Sequence, residues 1–413
     1  MKKTLLFLLF TLTLYSDALN PSFKEIEVMP SSYSKDYYIW RLLQKKKTTK
    51  KEALTAYKWI KRKNSKLQKA IRKKVGYVPT KKSTKKKRHT NNFIIYPSTA
   101  AKKRAKSLKS LRKLYRKIKK KGKYSDVLQV FTANKPYQEL KKLPIKTQLY
   151  ILNLCNTRYY KRYFNHPFTK KQLKMFSKEK QFNKTIFKVV TTHTLKKAKK
   201  SLIFYSGSNK IDFESNFMLA MNAIEFKKIN YAINFLSIAR TKTQKQSQYD
   251  QVDFWLYLLT KDKGFLKKLV KSSQVNIYTL KARDILKKSY PKVISPVLKD
   301  REIKDFNITN PIDWEKIKIA MKKSPNRLEE LAEKYKSAET LGIYSYIKEK
   351  ASKYTVPYYP MPYPDAMKAF NPQRKAILYA IARQESRFVP ASISTSYALG
   401  MMQIMPFLIK ELS

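Results

Sequence analysis

Six glycines serve 413 residues, and that scarcity limits the fold more than any other feature of the sequence. Tight hairpin turns and bulges draw on glycine for backbone with positive φ. A sheet-rich fold of this length would need many more. Apolar residues still make up 43 % of the chain, enough to fill a core, so helices joined by polar turns are the expected solution. The stretch SNFMLAMNAIEFKKINYAINFLSIARTK carries that pattern. Phe217, Met221, Ile224 and Phe226 lead a first helix, and Ala232, Phe235, Ile238 and Ala239 continue in a second. QYDQVDFWLYLLTKD and FLKKLVKSS follow with the same spacing. No fixed repeat length emerges, so the expected class is all-α, an irregular, solenoid-like helical superhelix.

Composition and charge divide the chain further. Residues 1–18 read as a secretory signal peptide: Lys2 and Lys3, an apolar run from Thr4 to Tyr15, then Ser16-Asp17-Ala18. That run is shorter than the ~20 residues a membrane span takes, so export to the periplasm is expected. Residues 19–125 form a basic helical region. Within it, TKKSTKKKRHTNN near 80–92 is too charged and too poor in apolar residues to pack, so it reads as a mobile segment. AAKKRAKSLKSLRKLYRKIKK, with Ala105, Leu108, Leu111 and Leu114, predicts one amphipathic helix with a cationic face. Residues 126–355 are the helical superhelical region. TVPYYPMPYPDAMKAFNP then places four prolines between Pro357 and Pro364, which cannot continue a helix, and residues 356–413 begin a different unit.

The chain holds 91 Lys plus Arg against 28 Asp plus Glu, a formal charge of +63. Such a field attracts polyanions: acidic cell-wall polymer and anionic membrane surface both fit. A nucleic-acid partner is disfavoured by the export signal, the low share of Arg and the lack of aromatic-basic recognition patterns. With Cys155 as the single cysteine, no intramolecular disulfide can form. His89, His166 and His193 lack metal-ligand spacing, so neither metal nor cofactor is expected.

The chemistry concentrates near the C-terminal end. PQRKAILYAIARQESRF reads as a helix with Pro372 in its first turn and Pro390 beyond its end. Ile377, Ala380, Ile381, Gln384, Glu385 and Phe388 fall on one stripe, with the cations of Arg374, Lys375, Arg383 and Arg387 mostly opposite. Glu385 is therefore expected on the buried side, in the last turn. Burial and the negative end of the helix dipole both favour a protonated carboxyl, as a general acid requires. Helix geometry alone leaves an alternative open: a helix-end Glu turned to solvent or paired with Arg383 or Arg387.

ESRFVP followed by SYALGMMQIMP resembles the soluble lytic murein transglycosylase family. Glu385-Ser386, Pro390, Ser394, Ala398, Gly400-Met401-Met402-Gln403 and Met405-Pro406 stand in matching register. YPMPYPDAMKAF looks like the family's proline-containing entry to its catalytic domain, and VNIYTLKARDIL is similar to a helix of its superhelical linker. The resemblance implies that the superhelix leads into the start of a lysozyme-like α domain. It also implies cleavage of the β-1,4 MurNAc-GlcNAc bond of peptidoglycan glycan strands, giving 1,6-anhydromuramyl products. Glu385 would act first as general acid and then as general base. Ser386 would orient the acid or its loop, Gly400 would allow close approach of the sugar, and Gln403 would hydrogen-bond it. Met402 and Met405 would line the cleft; the alternative for Met401, Met402 and Met405 is plain core filling. Tyr397 stands where the family usually has a small Gly, and Met401 where Leu is common. The family's catalytic domain continues further, so a C-terminally truncated transglycosylase is the expectation. The alternative is a non-catalytic periplasmic peptidoglycan-binding or scaffold protein.

Overall fold

The computed structural model describes residues 21–76, 95–118, 125–205 and 210–412. The signal segment 1–18 and the Lys-rich segment 80–92 lie outside them. Among the described residues the fold is all-α, with 24 α-helices and a single 3-10 turn. Strand-like pairing is limited to isolated bridges such as Ile393 with Leu399. The chain forms two compact units, one of residues 83–290 and one joining 1–82 to 291–413. The compositional breaks near 125 and 355 fall inside these units.

In the 83–290 unit Phe213–Glu225, Ile229–Thr241, Gln246–Thr260 and Lys263–Val270 each pack on the helix that follows. Aromatic rings fill its core, with Phe131, Tyr160, Phe164, Phe176, Phe182 and Phe235 buried. The single amphipathic helix expected over 100–120 is instead two, Pro97–Lys106 and Leu108–Ile118. Ser107 makes the break. Its N–H ends the first helix on the carbonyl of Lys103, and its Oγ accepts the N–H of Ser110 in the second. Cys155 is a small buried hydrophobe, and burial pushes its thiol up to about 12. Beside it, Lys188 Nζ donates to the carbonyls of Leu152, Asn153 and Cys155 at 2.6–3.1 Å, closing the end of the Ile145–Leu154 helix. Part of the cationic excess thus satisfies helix ends.

The same economy explains how the fold manages without glycine. The described positive-φ residues include Lys227, Lys261, Lys287 and Lys353 but only two glycines. At Lys227 the backbone closes a Schellman motif, with Lys228 N–H on the carbonyl of Ala223 and Lys227 N–H on that of Ile224. Each such residue costs about 1–2 kcal/mol relative to glycine, a cost that packing of the flanking helices offsets.

In the 1–82/291–413 unit the described residues 21–76 and those from 291 onward form one body. Its first four helices are Phe23–Val28, Tyr33–Leu42, Lys50–Lys58 and Ser65–Val75. They are N-capped by the side chains of Ser22, Ser32, Thr49 and Asn64, each accepting a first-turn N–H. Pro311–Lys323, Leu328–Lys334 and Leu341–Ala351 form a second group around Trp314, Ile317, Ile343 and Ile347. Ser34 Oγ donates to Glu315 Oε1 at 2.8 Å in a buried link between the two groups.

Candidate active site

The acid-bearing helix spans Pro372–Ser386. Asn371 caps its start, accepting the N–H of Arg374 at 2.9 Å. At its end Arg387 and Phe388 both adopt left-handed backbone, with φ of 54° and 64°.

Which face of this helix packs corrects the sequence expectation. Ile377 is 58 % exposed and Ile381 42 %, and Ala380, Gln384 and Glu385 are exposed with them. Ala382 is buried instead, with Leu378, Tyr379, Arg383 and Ser386 half-buried around it. Of the expected stripe only Phe388 is buried, because the chain has left the helix by then. The cause is electrostatic. Glu349, on the Leu341–Ala351 helix, has a side chain only 4 % exposed and needs cations to balance its desolvation. Arg383 Nη2 donates to Glu349 Oε1 at 2.6 Å and Arg383 Nη1 to the carbonyl of Tyr358 at 2.5 Å. Its guanidinium lies 4.0 Å from the centroid of the Tyr359 ring. Arg387 pairs with the other oxygen of Glu349, and the N–H of Tyr358 donates to Oε1 at 3.1 Å. These bonds rotate the helix so that the Arg383 side faces inward.

The buried carboxylate beside the helix end is therefore Glu349, not Glu385. Glu385 lies exposed in the last turn, without a hydrogen-bond or ion-pair partner among the described residues. Burial does not act on it here. The pairing with Arg383 or Arg387 that helix geometry left open is not formed either, since both cations serve Glu349.

Ser386 joins the two halves of the motif. Its Oγ donates to the carbonyl of Met401 at 2.8 Å and accepts the N–H of Val389 at 3.1 Å. Glu385 thus stands one residue from a direct bond to the Gly400–Gln403 turn. That turn is tightly made. Gly400 has φ of 76° and donates its N–H to the carbonyl of Ser392 at 2.9 Å, while Leu399 and Ile404 exchange two backbone bonds. Gln403, with φ of 50°, donates through Nε2 to the carbonyls of Ser392 and Gly400. Its Oε1 is without a partner among the described residues. Met401, Met402 and Met405 are all half-buried. Arg387, Phe388, Tyr397 and Gln403 all hold left-handed backbone within this short segment. Such clustering of strained conformations is a property of functional sites.

Nothing in local sequence pattern marks Glu349, whose role depends on partners 34 and 38 positions away. Gly342 was equally silent. A Cβ at Gly342 would lie 2.2 Å from the carbonyl oxygen of Phe388 and 2.9 Å from its carbonyl carbon. The backbone just after the acid helix rests on that glycine. Gly342→Ala is expected to lower stability by roughly 1–3 kcal/mol through overpacking, read as a lower urea midpoint. An unchanged midpoint would show that the contact is slack.

Residues 363–413 match the family model described as "Transglycosylase SLT domain". No curated protein sequence gives a significant match. Among solved structures, the chain is similar to a 70-kDa soluble lytic transglycosylase in complex with bulgecin A, at 14 % identity and a TM-score of 0.36, covering 73 % of this chain and 50 % of that one. It is also similar to the 70 kDa soluble lytic transglycosylase of Escherichia coli, at 15 % identity and a TM-score of 0.36, covering 95 % of this chain and 66 % of that one. This chain thus spans between half and two thirds of the length of these structures. Residues 363–413, which hold Glu385, Ser386 and the Gly400–Gln403 turn, are thus the part of the chain that matches the transglycosylase SLT domain family.

Proposed function

We propose that the protein is a periplasmic lytic transglycosylase of peptidoglycan in which Glu385 is the single general acid and base. The observation that carries this reading is the bond from Ser386 to Met401, which ties the acid's helix to the Gly400–Gln403 turn inside the matched segment. Glu385 protonates the glycosidic oxygen between MurNAc C1 and the departing GlcNAc. The resulting carboxylate takes the proton of the muramyl C6 hydroxyl as O6 closes on C1, forming a 1,6-anhydro ring. One bond breaks, one forms, the proton returns to Glu385, and no water is consumed. Most glycosidases instead use a pair of flanking carboxyl groups.

The exposure of Glu385 fits a group that meets a polymer. A glycan strand lying across the helix end would itself remove water from the carboxyl and favour its protonated form. Gln403 Oε1 is a ready acceptor for a sugar hydroxyl, with Met402 and Met405 flanking the saccharide. The charge of +63 draws the strand in through the carboxylates of its peptides, at ranges up to the screening length of ~10 Å. Export rests on the 1–18 segment.

One observation favours a second reading, a non-catalytic wall-binding scaffold: among the described residues Glu385 has no bonded partner to hold it for catalysis. Purified sacculi separate the two. Wild-type protein is expected both to cosediment with sacculi and to release soluble muropeptides; cosedimentation without release would leave the scaffold reading.

A further inference from the structure

We infer that Tyr397 is a positioning residue for the Gly400–Gln403 turn, seated in a cage built by the N-terminal helices, so that residues 33–75 act on the candidate site. The inference extends the proposed function, but its structural basis is independent of it.

The starting observation is a conflict. Tyr397 has φ of 68°, a conformation that is costly for a bulky side chain. Its ring is nonetheless among the most buried in the unit, 1 % exposed. Burial of a large aromatic surface offsets the backbone strain, so the strained conformation persists only while the cage is intact. Tyr37 meets the ring edge-on at 5.6 Å between centroids, and Trp40 packs at 5.4 Å. Lys66 Nζ lies 5.6 Å from the ring centroid and donates to the carbonyl of Ser396 at 2.8 Å. The Tyr397 hydroxyl donates to the carbonyl of Asp36 at 3.4 Å. Asp36 is itself held, its carboxylate accepting the N–H groups of Lys61 and Arg62 at 2.8 and 2.9 Å. The side chains and backbone that form the cage thus all come from residues 33–75.

The loop is stiff enough to carry the effect onward. The N–H of Tyr397 donates to the carbonyl of Ser394, and Ser394 and Ala398 are joined twice. Leu399 exchanges backbone bonds with Ile404, and Gly400 is tied to Ser392. Ile393 and Leu399 pack with Tyr397 on Tyr38, Leu42, Leu67 and Ile71. Val389 and Ala391, just before, belong to the separate cluster around Trp314 and Ile343. The turn is therefore held by two cores, and only the one that contains Tyr397 is built from the N-terminal helices.

The test is hydrogen exchange on the full chain, comparing peptides from 392–404 with peptides from 328–351. Tyr397→Gly removes the strain and the anchor together, and Trp40→Ala opens the cage from its other side. Both are expected to speed exchange in 392–404 by on the order of tenfold or more while leaving 328–351 unchanged. Tyr397→Phe and Trp40→Phe, which keep the ring contacts, should restore wild-type exchange. Unchanged exchange in 392–404 overturns the inference. So does an equal rise in both regions, which would make Tyr397 an ordinary core residue. If Tyr397→Gly fails to fold, Lys66→Met, which deletes only the bond to Ser396 and the cation over the ring, gives the same comparison. Sacculus digestion adds a separate arm. Loss of the proposed activity in the wild type would refute the enzymatic reading while the exchange result still decides the role of Tyr397. With the activity present, Trp40→Ala should lower it and Trp40→Phe should recover it.

Discussion

Glu385→Gln is expected to abolish muropeptide release from sacculi while leaving the fold intact. The amide keeps the size of the side chain but can neither donate an acidic proton nor take one back, so both halves of the reaction fail. General acid–base catalysis contributes some 10²–10⁴-fold in rate, and one group serving twice should place the loss at the upper end. The exposed position makes the test clean. Glu385 is without a bonded partner among the described residues, and substitutions at such sites usually shift stability by less than about 0.5 kcal/mol. The expected outcome is a wild-type urea midpoint together with a loss of release below detection. Retained release would remove Glu385 as the acid.

Glu349→Ala should do the opposite, acting on stability first. Its carboxylate accepts from Arg383, Arg387 and the N–H of Tyr358, and its side chain is 4 % exposed. Removing it leaves two guanidiniums without their counter-charge and a backbone donor without an acceptor. Breaking a fully buried pair costs about 3–5 kcal/mol. Arg383 and Arg387 retain access to water, at 20 % and 38 % side-chain exposure, so about 2–4 kcal/mol is expected after allowing for solvent screening. Glu349→Gln, which keeps an acceptor for Tyr358, should cost less. The Pro372–Ser386 helix would lose the bonds that set its rotation, so release should fall in both variants. Equal midpoints for wild type and Glu349→Ala would mean that apolar packing around Ala382 alone orients the helix.

The fold class was legible because it depends on local features. Scarce glycine and apolar residues three or four apart predict helices, and Pro372 marks where the acid-bearing helix begins. The Glu-to-Gln motif was legible for a similar reason, since its parts lie within a single short segment. The face that this helix buries was not legible. Apolar periodicity predicted Ile377 and Ile381 inside, but a carboxylate on another helix drew Arg383 inward in their place. Contacts at long range in sequence stayed equally hidden. Tyr397 meets Asp36 361 positions away, and no pattern within either segment names the other. The break at Ser107 was missed because a serine can end one helix and cap the next without disturbing the apolar spacing around it. The lysines at left-handed helix ends were missed because glycine is the usual marker of such positions.

The central claim is that one carboxyl group cleaves the glycan without water. Digestion of purified sacculi by the whole protein in heavy-oxygen water, followed by mass spectrometry of the released muropeptides, tests it most directly. The account predicts 1,6-anhydro ends that carry no heavy oxygen and resist borohydride reduction. Reducible muramyl ends labelled from the solvent would contradict it.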